Sequence, residues 1–184
     1  LVANARESGW LPRWSVAAGQ TDVMVGDPAD AMLAGAYAFG ARDFDRAGAL
    51  AAMIKGATKE GRSANADYVE RQALSDYLAL GYVPHDGTEA STGQDTTIFG
   101  DTSKVWGSAA TTLEYGVADF ALAAFAAEQG DAAACRAAVA RADIDHVRIR
   151  QIVDHLVDMD DIPVPRQHPA HVVDAPVGDR RAVV

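Results

Sequence analysis

The chain has 184 residues, the length of one ordinary domain and enough to bury a core. Apolar residues make up 49% of it, but much of that is alanine, which favours helix and buries little surface per residue; 23% charged residues argues against wholesale disorder. A net charge of −10, with no clustered stripe of Lys or Arg, argues against nucleic acid as a partner and suits a neutral ligand such as a sugar.

No stretch approaches the ~20 apolar residues of a membrane helix, so no membrane partner is expected. The single cysteine, Cys135, excludes an internal disulfide and a cysteine-based zinc site. The chain opens at Leu1 without an initiator methionine, a basic segment or an apolar signal core, which points to a start inside a larger gene product.

Residues 1–20 show no sustained period and read as an ordered loop carrying Trp10 and Trp14. Either tryptophan serves as a packing group or as a wall against which a sugar ring stacks. Gly26-Asp27-Pro28 is a helix start: Asp27 can accept from the free amides of the first turn, and Pro28 suits the first helical position. The helix presents Met32, Leu33, Ala36 and Tyr37, and Gly40 ends it. Asp43 or Asp45 opens a second helix with Phe44, Ala47, Leu50, Ala51 and Ile54 on one stripe. A third is predicted from about Ala66 to Leu80, burying Tyr68 or Val69, Ala73, Tyr77 and Leu80, and Gly81-Tyr82-Val83-Pro84 terminates it.

Residues 85–107 read as a polar loop, with Asp86, Asp95 and Asp101 at spacings that do not fit a helix–loop–helix calcium site. Val105-Trp106 makes at most a brief extended piece. The strongest periodicity follows, from about Ser108 to Gln129, with Leu113, Val117, Phe120, Ala121, Ala124 and Phe125 on one side. Residues 131–158 hold one or two further helices, and the proline-broken text after Ile162 is extended or disordered. Helix after helix without credible strands makes the chain all-α.

Three groups of residues resemble glycoside hydrolase family 92, the exo-acting α-mannosidases. The first is Gly9-Trp10-Leu11-Pro12-Arg13-Trp14, then Gly19 and Met24-Val25-Gly26-Asp27. The second is Ala36-Tyr37 and Gly40-Ala41-Arg42-Asp43-Phe44-Asp45. The third joins Gly81-Tyr82-Val83-Pro84 and Asp86 to Thr112-Leu113-Glu114-Tyr115 and Asp119-Phe120. There are departures: Gly35 and Phe39 stand where the family usually has Asp and Lys, and Gly116-Val117-Ala118-Asp119-Phe120 replaces the usual Ala-Tyr-Asp-Asp-Trp. From about residue 132 the text no longer resembles the family, as a shifted reading frame would produce. Residues 1–131 therefore read as the N-terminal portion of a helical catalytic domain, and 132–184 as a divergent helical segment and tail.

The resemblance implies a partial (α/α)6 toroid, an inverting mechanism on terminal α-linked mannose of a glycan, a bound calcium ion and a secreted or periplasmic location. It also implies that the family's acid, base and main calcium ligands lie in motifs C-terminal to the matched region. The chain on its own would thus be too short for the whole active site, would not fully ligate calcium, and would need the missing remainder of the domain as partner. The resemblance gives Asp27 a second role, as acceptor of hydroxyl hydrogens from the terminal mannose, in competition with the helix cap; a carboxylate can serve two adjacent hydroxyls. Trp14 becomes a neighbouring wall of the pocket, and Arg13 is structural.

Glu114 and Asp119 could be nominated as a catalytic pair, but five residues apart on a helix they do not share a face and read as structural, holding neighbouring helices or loop amides. Of His85, His146, His155, His168 and His171, only His168 and His171 approach a metal spacing, a weak one without a further ligand, and Cys135 lacks a well-placed histidine partner. The rival reading is a non-catalytic helical module that binds carbohydrate or another protein.

Overall fold

The computed structural model describes residues 1–14, 24–62, 69–85 and 107–142. The expectations for Gly19, Tyr68, the 86–106 loop with its aspartates, the four histidines from His146 onward and the tail lie outside these residues. The described residues form six helices and no strand: α1 Val2–Ser8, α2 Pro28–Ala38, α3 Arg46–Thr58, α4 Leu74–Leu80, α5 Ser108–Glu128 and α6 Ala132–Ala142. The all-α expectation holds.

The start is helical rather than a loop. α1 is one short amphipathic piece whose Val2 and Ala5 lie against the main core, and Gly9 closes it at φ 87°. Two turns of apolar spacing are too few to register as a period, so tertiary contact makes this helix. Arg6 pairs with Asp45, and Lys55 Nζ donates to the Gly9 carbonyl at 2.6 Å while sitting 3.9 Å from the Trp10 ring centre. Trp10 is a packing group: a Cβ on Gly61 would fall 1.9 Å from its ring.

α2 stops at Ala38, with Gly40 beyond it at φ 101°, and α3 starts at Asp45, whose Oδ1 accepts from Gly48 N at 3.0 Å. Their inner faces are narrower than expected. Leu33 and Tyr37 are buried but Met32 and Ala36 are exposed; in α3 it is Ala49, Met53 and Ala57 that are fully enclosed. The third helix begins only at Leu74, because Val69 bridges Arg62 and buried Ala73 turns the chain at φ 50°. That non-helical segment, residues 69–73, which bends and turns after the bridge at Val69, is what carries Arg71 inward.

α5 is the hub, packed on α2, α3 and antiparallel α6. Its buried face is Thr111, Tyr115, Ala118, Asp119, Leu122 and Phe125, whereas Leu113, Val117 and Phe120 are 53%, 55% and 68% exposed on the opposite side. α6 begins at Asp131, which accepts from Ala134 N at 2.9 Å, and buries Ala138. One core gathers Leu11, Leu33, Tyr37, Met53, Leu122 and Phe125; a second joins Leu74, Tyr77, Val83 and Tyr115.

Candidate functional site

Asp27 stands at the N-cap of α2, yet its side chain makes no capping bond. Its Oδ2 accepts instead from Arg71 Nε at 3.0 Å. The cap half of the expectation is therefore corrected: a buried guanidinium attracts a carboxylate more strongly than a neutral amide does. Among the described residues, the second oxygen of Asp27 accepts no hydrogen bond.

Arg71 is 1% exposed and collects three carboxylates. Besides Asp27, its Nη1 lies 3.3 Å from Asp119 Oδ1 and its Nη2 lies 3.4 Å from Asp30 Oδ2. Its guanidinium carbon sits 4.9 Å from the Tyr115 ring centre. Arg141 of α6 grips Asp119 from the far side, Nε to Oδ2 at 2.9 Å and Nη2 to Oδ1 at 3.3 Å, and Tyr77 donates to the same carboxylate at 3.1 Å. Asp119 is thus structural, as expected, tying α4, α5 and α6 to the 69–73 segment. Among the described residues, Glu114 holds neither a helix nor an amide; it is exposed and covers Gly26, where an added Cβ would lie 2.9 Å from its Cβ and Oε2.

Arg13 is buried and structural. It donates through Nη1 to the Glu70 carbonyl, and its Nη2 lies 3.5 Å from the Val69 carbonyl. Trp14, next in the chain, is half-buried at φ 48°, a left-handed conformation that a bulky residue adopts only when its surroundings enforce it. The segment 69–71 therefore anchors both the Trp14 corner, through Arg13, and Asp27, through Arg71. Two clefts lie elsewhere, one along Phe44, Arg46 and Gln129 and one along Tyr37, Arg42 and Glu128.

Two guanidinium groups face three carboxylates, so full ionisation would leave one negative charge buried without balance. Burial first, and the charge of Asp27 second, push the Asp30 carboxyl well above its usual range, against the pull of Arg71. Asp30 therefore holds its proton to higher pH than an ordinary carboxyl does, and its Oδ1 is buried with no hydrogen-bond partner among the described residues. Burial alone would weaken the Arg71 charge, but Asp27, Asp119 and Asp30 together outweigh it and hold its pKa above the ordinary arginine value. Burial, with Asp119 next, raises the Tyr77 phenol, and burial pushes Tyr115 up to about 12.

The proton on Asp30 makes stability pH-dependent. A carboxyl whose native pKa exceeds its unfolded value near 3.8 adds stability below that value and loses it as pH rises through the native one. Unfolding free energies measured by urea across this window should slope downward with pH in the wild type, and Asp30→Asn should flatten that slope. Equal slopes in the two proteins would contradict the assignment.

Sequence reasoning missed Arg71, Asp30 and Arg141. A signal existed for Asp30, which shares the buried face of α2 with Leu33 and Tyr37. None marked Arg71, in a stretch read as helix.

The model of the glycosyl hydrolase family 92 catalytic domain matches residues 1–144. The chain belongs to glycoside hydrolase family 92. The match runs past residue 131 and takes in α6, whose Arg141 completes the buried cluster, which argues against a shifted frame before residue 142. Two solved structures of family 92 resemble it, both from Bacteroides thetaiotaomicron. One is an inverting mannosidase, at 29% identity and a TM-score of 0.59 over 77% of this chain. The other is an α-mannosidase in complex with mannoimidazole, at 28% identity and a TM-score of 0.57, also over 77%. The chain spans 17% and 15% of the lengths of these two. No curated protein matches its sequence.

Calcium, which family 92 implies, does not fit the aspartates described. Asp27, Asp30 and Asp119 converge on a guanidinium that already supplies the positive charge, and no group of three or more acidic, His or Cys side chains among the described residues could hold a metal ion. No described helix is long and apolar enough to cross a membrane.

Proposed function

We propose that this chain is the N-terminal portion of an (α/α)6 toroid that hydrolyses terminal α-linked mannose with inversion, and that Asp27 and Trp14 line its pocket for the terminal sugar. The family match over residues 1–144 carries this reading, and the mannosidase identity of both solved relatives supports it. Inversion requires an acid to protonate the leaving oxygen and a carboxylate on the opposite ring face to activate water, roughly 6.5–9.5 Å apart. Among the described residues, Asp27, Asp30 and Asp119 are engaged by Arg71; on this reading the acid, the base and the calcium donors come from further polypeptide, as the family resemblance implies. The exposed apolar stripe Leu113, Val117 and Phe120 supplies a face on which further helices of the toroid would pack. An exported location belongs to the same reading.

The 184-residue chain should not turn over an aryl α-mannoside in the presence of calcium. Robust hydrolysis abolished by Asp27→Ala would show that the chain carries its own acid and base and would overturn the partial-domain reading. A second reading, a non-catalytic mannose-binding module, draws on one observation: the buried cluster around Arg71 is completed within residues 27–141. It would gain if the chain stayed folded and monomeric rather than associating through its exposed apolar stripe.

A further inference from the structure

We infer that Arg71 is a positioning residue for Asp27: it draws the carboxylate off the end of α2 and presents its remaining oxygen to a sugar hydroxyl. The inference rests on the proposed role of Asp27, and it resolves the competition between cap and ligand that the sequence leaves open.

An aspartate directly before Pro28 is placed to cap its helix, and the favoured bond runs from the second or third amide of the first turn, here Ala29 or Asp30, to the carboxylate. That bond is absent in α2, although Asp45 makes the equivalent one in α3 and Asp131 in α6. The difference is Arg71, whose Nε is 3.0 Å from Asp27 Oδ2.

Arg71 can act this way because it is held on its other sides. Asp119 and Asp30 hold its two terminal nitrogens, and the Tyr115 ring lies alongside. A guanidinium offers several donors in one rigid plane, so one edge can hold Asp27 while the others are anchored; an ammonium offers no such fixed fork. Asp27 keeps a small exposure of 9%, whereas Asp30 and Asp119 have 1% and 0%. It is thus the one carboxylate of the three that a ligand can reach. A carboxylate fixed through one oxygen is pre-organised, so a sugar hydroxyl meets an acceptor that need not be ordered on binding.

The test is a titration of the 184-residue chain with methyl α-D-mannopyranoside, followed by 1H–15N NMR, for the wild type, Arg71→Lys and Asp27→Glu. Arg71→Lys keeps the charge without the fork, and Asp27→Glu keeps the carboxylate but moves it along a longer arm. Both should weaken mannoside affinity by about tenfold or more. In Arg71→Lys the Ala29 or Asp30 amide should also shift downfield as Asp27 takes up the cap. Should Arg71→Lys fail to fold, Asp27→Glu, which leaves Arg71 with Asp30 and Asp119, still decides. Wild-type affinity in either folded variant would overturn the positioning role, as would unshifted amides in Arg71→Lys. A wild type that binds no mannoside while Arg71→Lys shows the amide shift would sink the mannose reading and leave the hold of Arg71 on Asp27 standing.

Discussion

Replacing Asp119 with alanine is expected to cost about 3–5 kcal/mol of folding stability, the range for removing one partner of a buried, hydrogen-bonded charge cluster. The side chain is 0% exposed and accepts from Arg71, Arg141 and Tyr77. Without it, Tyr77 loses a buried acceptor and Arg141 loses the bond that ties α6 to α5. Arg71 would keep Asp27 and Asp30, so the loss should fall most heavily on α6. Asp119→Asn should cost less. It retains an acceptor oxygen, and by removing a charge that raises the Asp30 pKa it lets Asp30 ionise and restore balance with the two arginines. Urea denaturation of both variants, with hydrogen exchange on the α6 amides, measures the difference. An alanine variant as stable as the wild type, or an asparagine variant no better than alanine, would show that the cluster is not coupled in this way.

That coupling also explains how much of the site was legible beforehand. Asp27 was readable because Gly-Asp-Pro is local chemistry and because it falls in a family motif. Its true partner was not, since Arg71 lies 44 positions away and reaches it only because residues 69–73 leave the helical path. Period-based reading extends a helix through such a segment; the left-handed turn at Ala73 that ends it has no glycine to announce it. The glycines at 40 and 81 and the aspartate at 45 announced helix ends correctly because capping depends on a few adjacent residues. The same reasoning does not reach α1, which lacks a side-chain cap at its N-terminus and enough length to show a period.

The inward face of α5 departs furthest from the stripe that hydrophobic periodicity predicts. Hydrophobicity alone selected Leu113, Val117 and Phe120, but the helix buries Thr111, Thr112, Tyr115 and Asp119 on the other side because those polar groups have partners there: Thr112 Oγ1 accepts from Val83 N at 2.9 Å and Tyr115 donates to the Gln72 carbonyl at 3.2 Å. A satisfied polar face can be a core face. Phe125, 1% exposed, is the aromatic that the buried side shares with the sequence stripe; it meets Tyr37 edge-on at 5.4 Å and stacks on Phe44 at 6.3 Å, joining α2 and the entry to α3. Phe125→Ala should therefore cost about 3–5 kcal/mol, the usual toll of an emptied aromatic core site. Phe120→Ala should change stability by no more than about 0.5 kcal/mol in this chain, as surface substitutions do. Light scattering on Phe120→Ala adds a second measurement: if the exposed stripe drives association of the chain, its loss should reduce aggregation. Equal destabilisation by the two alanine variants would mean that both faces of α5 are already covered, and the case for further helices packing on it would fall.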